Sequence, residues 1–185
     1  LAHEVYKQYT FTIHGHEVDF AEDWDTIDFA ESIKKRFGID PINCSEKEAI
    51  EAAREAKVLL PGIEPNRERC IDQLWKQIRK EIAGPAFLVG VPIFMEPLAK
   101  RSPKNPDVVE RFQVILAGSE VGKGFSELND PIDQRKRFED QQKLRDKGDE
   151  EAQRLDLDYV RTMEYGMPPA FGFGVSERLF AFLEN

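Results

Sequence analysis

The chain has 185 residues, a formal net charge of −9 and 41% hydrophobic residues, enough length and apolar content to bury a core within one domain and too apolar for a globally disordered polypeptide. The acidic balance argues against a segment that grips nucleic acid by charge alone, and no apolar run approaches the roughly 20 residues a bilayer span needs. No N-terminal stretch resembles a signal peptide, and Cys44 and Cys70 lack metal-ligand spacing, so a reducing cytoplasm is the expected compartment. Leu1 is not an initiator methionine, which reads as a piece of a longer protein. The basic clusters Lys34-Lys35-Arg36, Lys76 to Lys80 and Arg135-Lys136-Arg137 each sit in a helical pattern and read as solvated faces.

In chain order, 10–14 and 17–20 flank His14-Gly15-His16 and predict a β-hairpin, the two histidines serving as turn residues rather than metal ligands. Asp28 with Glu31 predicts a capping box, followed by a helix apolar at Phe29, Ile33 and Phe37 and ended by Gly38. Ser45 with Glu48 starts a second helix through Ala49 to Ala56. After the loop at Pro61, Gly62 and Pro65, a third helix is lined by Ile71, Leu74, Trp75, Ile78 and Ile82. Residues 28–83 thus read as a helical block without strands. The period then changes: 86–91, 112–117 and 120–128 are predicted strands, the last interrupted by Gly122 and Gly124. Asp130 caps a polar helix with Pro131 at its first position. A short helix at 156–165, a glycine-laced strand at 171–175 and a helix at 177–184, buried through Leu179, Phe180, Phe182 and Leu183, complete an α+β pattern whose strands are expected to be antiparallel.

Two groups of residues could carry chemistry. Glu120 and Glu127 are an odd number of residues apart, so an unbroken strand points them to opposite faces, whereas a bulge at the glycines restores a shared face. Glu127 lies between Phe125 and Leu128, surroundings in which a carboxylate calls for a cationic partner. In the run 172–178, Gly172 and Gly174 let a flat ligand approach the strand backbone, and Arg178 at the start of the next helix can meet a phosphate. The run lacks both the dinucleotide fingerprint and the P-loop spacing.

Taken with their order, these stretches resemble the class II lysyl-tRNA synthetases. The matching runs are 97–101, 110–112, 117–122, Gly124 to Phe138, 149–152, 164–169 and Glu177-Arg178, the last resembling the end of class II motif 3. Phe125 to Asp130 resembles the lysine-type signature, where the aspartate and asparagine relatives carry a different run. The resemblance implies that 1–185 is the C-terminal half of a class II catalytic domain, with 28–83 a helical insertion and 86–185 carrying the lysine and ATP site. It also implies that Glu127 receives the lysine ε-ammonium, that Phe125 packs on its methylenes, and that Glu120 holds Mg²⁺ against the ATP phosphates. By the same resemblance Arg178 is the catalytic arginine at the triphosphate, and Gly172 and Gly174 let lysine and adenylate lie on the strand. The partners so implied are lysine, ATP and tRNA(Lys), with a homodimer where the family's motif 1 is present.

Three positions depart from the family pattern. Gln113 stands where a second metal-binding glutamate is expected, Lys123 where an asparagine contacts substrate, and Ser176 leaves the glycine strand one residue short. Motifs 1 and 2 are not recognisable, so the chain by itself is expected to be half an active site. Two other readings stand beside the tRNA enzyme: a lysine-activating ligase that modifies a protein, and a non-catalytic binding module derived from a synthetase.

Overall fold

Turn residues with positive φ and polar caps set most element boundaries in the computed structural model, which describes residues 2–62 and 64–184. A π-helical turn at Ala2–Tyr6 precedes β1 (Thr10–Ile13) and β2 (His16–Asp19). These two strands pair antiparallel through a two-residue turn in which His14 (φ 49°) and Gly15 (φ 80°) are both left-handed, the geometry that tight hairpins require. His14 packs edge-on to Phe182 with ring centroids 4.6 Å apart.

A strand not expected from the sequence, β3 (Asp25–Asp28), runs directly into α1 (Phe29–Phe37). Its four residues are too few and too polar for a period-2 signal, so only its pairing partner reveals it. The Asp28 carboxylate accepts from the Glu31 amide, and Gly38 (φ 74°) closes the helix. α2 (Glu46–Glu55) carries the full capping box of Ser45 and Glu48. α3 (Arg67–Arg79) buries Cys70, Ile71, Leu74 and Trp75; it ends before Ile82, which lies beyond the helix. Then come β4 (Ala86–Val89), a 3₁₀ turn at Ile93–Met95, β5 (Arg111–Leu116) and β6 (Ser119–Ser126). α4 (Pro131–Asp146) has Asp130 as cap and proline at its start, as the sequence predicts. α5 (Leu157–Glu164), β7 (Phe171–Val175) and α6 (Arg178–Glu184) follow.

Strands β3 to β7 form a five-stranded sheet in that order. The β4–β5 pair is antiparallel as expected, but β3 runs parallel to β4, with Asp25 opposite Ala86 and Asp28 opposite Val89. The exception has a connectivity cause. The α1–α3 block is the long crossover that a parallel pair requires.

By internal contacts the chain divides into two compact units. The first comprises 1–91, 111–124 and 173–185. One of its cores gathers Phe11, Ile13, Val18, Leu116, Ala117, Val121 and Leu183, with Leu179 and Phe182 packed against them. Phe180 is instead 48% exposed. At 3.6 residues per turn, positions 179, 182 and 183 share one face and position 180 lies about 100° from 179. In the same unit Phe87, Phe112 and Phe173 form a row, with Phe112 and Phe173 stacked at 5.5 Å. Gly122 lies against this row, a Cβ there standing 3.4 Å from the Phe173 ring.

The second unit comprises 92–110 and 125–172. It buries Ala99, Val109, Leu128, Phe138, Ala152, Val160 and Met163. α4 and α5 pack together within it, and Phe138 meets the Tyr159 ring edge-to-face at 5.9 Å.

Candidate functional site

Glu127 lies one residue past the end of β6, in the second unit, and is half-buried. Its backbone is held from two sides. The Glu127 amide donates to the Ala170 carbonyl at 2.9 Å, while the strip 98–100 pairs with 126–128: Lys100 N–H donates to Ser126 O at 2.8 Å and Leu128 N–H to Leu98 O at 2.9 Å. Gly172 faces the carboxylate, since a Cβ built there would lie 3.2 Å from Glu127 Oε1. Tyr159 is close enough to feel the same charge: burial first, then Glu127 and Asp156, raise its phenol above the ordinary value. Among the described residues no cation pairs with the Glu127 side chain. Phe125 belongs to the same unit and is half-buried.

The helix that follows holds this region through charges the sequence reading missed. Asp133 takes Arg101 through Nε at 2.8 Å and Nη2 at 3.0 Å, and Arg137 Nη2 at 2.7 Å. Arg137 also donates from Nη1 to the carbonyls of Ala99 (2.6 Å) and Glu96 (3.2 Å). Gln134 donates to the Pro97 carbonyl at 3.0 Å. Burial works to raise the Asp133 pKa, but the hydrogen bonds and charges of Arg101 and Arg137 outweigh it and hold the carboxyl well below the usual carboxylate range. The solvated-face reading of 135–137 therefore needs correcting. Arg135 and Lys136 are exposed, but Arg137 is only 7% exposed. The spacing of Asp133 and Arg137, four apart on a helix, was the available signal.

The remaining predicted residues lie in the first unit. Glu120, which belongs to β6, pairs with Arg79 Nη1 at 2.6 Å, and Arg79 Nε also reaches the Gly118 carbonyl at 3.1 Å. Gln113 is buried and accepts from Arg111 Nη2 at 2.6 Å. β6 is continuous through Gly122 and Gly124, and Lys123 within it is half-buried. Gly174 and Arg178 are exposed. Ser176 donates its amide to the Val121 carbonyl at 2.8 Å, and its Oγ accepts from the Arg178 amide at 3.3 Å. As they stand, these donors do not make a magnesium site: one carboxylate is engaged by a guanidinium and the second position is a neutral amide already in use. No group of three or more His, Cys, Asp or Glu suited to a metal occurs among the described residues. No helix among them is long and apolar enough to cross a membrane.

The model of the class II tRNA synthetases (D, K and N) matches residues 1–185, and the chain belongs to that family. Among its relatives, a lysine–tRNA ligase of Thermotoga maritima is 40% identical over 92% of this chain and 34% of its own length. One from Roseiflexus sp. (strain RS-1) is 39% identical over 95% of the chain and 36% of its own length. One from Fervidobacterium nodosum is 40% identical over 100% of the chain and 36% of its own. The chain thus spans about a third of the length of the curated relatives it matches.

Proposed function

We propose that this chain is part of a lysine–tRNA ligase that activates lysine with ATP and transfers it to tRNA(Lys). The observation that carries the reading is Glu127: a half-buried carboxylate whose backbone is fixed from two sides, with Gly172 before it and no cation paired to it among the described residues. Burying a carboxylate without a cation is costly, and a ligand ammonium removes that cost. Phe125 supplies apolar surface for the lysine methylenes, and Gly172 borders the ligand. Gly174, Gln113, Glu120 and Arg178 face the nucleotide, with Arg178 countering charge as pyrophosphate leaves when the lysine carboxylate attacks the α-phosphate. Glu120 is the residue that the family reading sets against Mg²⁺, and here its carboxylate is held by Arg79. A homodimer in the cytoplasm completes the reading.

The test is lysine-dependent ATP–pyrophosphate exchange by the complete polypeptide that carries this segment. Exchange specific for lysine, lost at least tenfold in lysine affinity with Glu127→Gln, is the expected result. Equal lysine affinity in the two forms would overturn the role of Glu127. A second reading, a binding module without catalysis, is favoured by Gln113 and by the engagement of Glu120 with Arg79. Lysine binding with no exchange by the complete polypeptide would select it.

A further inference from the structure

Glu127 is joined to α4 by three residues, Leu128, Asn129 and the capping Asp130. The strip 96–101 pairs with the segment around Glu127 on one side and is tied to α4 on the other. Four of its residues are so tied: Glu96 and Ala99 through their carbonyls to Arg137, Pro97 through its carbonyl to Gln134, and Arg101 through its guanidinium to Asp133. Helix, carboxylate segment and strip therefore form a closed figure in which each side is held by the other two. At its centre is Arg137, only 7% exposed, with all three guanidinium nitrogens occupied. Opening the figure leaves a buried charge and two backbone carbonyls without partners, which makes it a stiff support.

We propose that Arg137, with Asp133 and Gln134, is the positioning device of the ammonium site: these side chains set the affinity for the ligand cation by fixing where Glu127 stands, without touching the ligand. Lysine in place of Arg137 keeps the charge toward Asp133, but a single ammonium does not reproduce the planar fork that reaches a carboxylate and two carbonyls together. The strip then loosens, and Glu127 loses its fixed backbone before the fold is lost. The inference rests on the proposed role of Glu127, and the test separates the two.

In the complete polypeptide, Arg137→Lys and Gln134→Met are expected to raise the KM for lysine about five- to tenfold in pyrophosphate exchange and to leave the KM for ATP within twofold. A merely structural role would move both together. Hydrogen exchange on the complete polypeptide provides the independent readout: the amides of Lys100 and Leu128 are expected to exchange at least tenfold faster in either variant, with those of α1 to α3 unchanged. Unchanged exchange at these two amides, or parallel changes in both KM values, overturns the positioning role. If Glu127→Gln leaves lysine affinity intact while the two amides loosen as expected, the ammonium role of Glu127 fails and the clasp itself stands.

Discussion

Gly172 and Glu127 illustrate how closely the place of a carboxylate can depend on an absent side chain. A methyl group at position 172 would stand 3.2 Å from Oε1, tighter than a normal contact, so the flexible carboxylate must give by a few tenths of an ångström. Gly172→Ala is therefore expected to weaken lysine binding several-fold while costing less than about 1 kcal/mol of stability, because the displaced atom is a side-chain terminus rather than backbone. Calorimetry with lysine beside a urea melt checks both halves. Arg137 sits at the opposite extreme. Truncating it to alanine leaves two carbonyls unpaired and Asp133 with Arg101 alone, and a loss of about 1–3 kcal/mol in urea unfolding is expected. At this scale Glu127, Phe125, Gly172 and Arg178 are visible in the sequence as residue types at family positions. Their surroundings are not. Arg79 reaches Glu120 only because the C-terminal end of α3 meets the turn before β6, and no local pattern announces such a pair.

Among the elements, α4 is the one whose chemistry reaches furthest. It is nearly all polar, so its attachment relies on Phe138, on the bond of Asp133 to Arg101 and on those of Arg137 to the Glu96 and Ala99 carbonyls as much as on an apolar face. The folded pKa of Asp133 is depressed, so its contribution to stability is fully present above the unfolded value of about 3.9. That contribution is lost progressively as pH falls below this value toward the lower folded one. Asp133→Asn is expected to lower stability at pH 7 and to flatten its fall between about pH 4 and pH 2, read as the urea midpoint against pH. The capping residues of α1, α2 and α4 are legible one by one, because a cap is a local contest between a side chain and the helix amides. β3 was not legible, since its four residues become a strand only by lying beside β4.

For the whole molecule, the division into units separates the two halves of the proposed chemistry: the ammonium carboxylate belongs to the second, and the nucleotide-facing residues to the first. The 185-residue chain alone is expected to bind lysine weakly and to show no ATP–pyrophosphate exchange; robust exchange by it would contradict the view that a third of the relatives' length is insufficient. Both tryptophans, Trp24 and Trp75, lie in the first unit, so their fluorescence reports on that unit's unfolding. Leu74→Ala, a fully buried α3 position, is expected to cost about 2–5 kcal/mol on that signal.

The sequence by itself determined the α+β class, six of the seven strands among the described residues, the starts of α1, α2 and α4 and the synthetase family. Periodicity, caps, turns and ordered motifs are properties of residues near one another in the chain. Tertiary structure alone decided that β3 joins the sheet parallel to β4, that Phe180 stays exposed while Leu183 is buried, and that Arg137 leaves the solvent to hold the strip beside Glu127. It also decided that Glu120 meets Arg79. Each of these depends on which distant segments share a surface, and the balance between burial and pairing is struck only there.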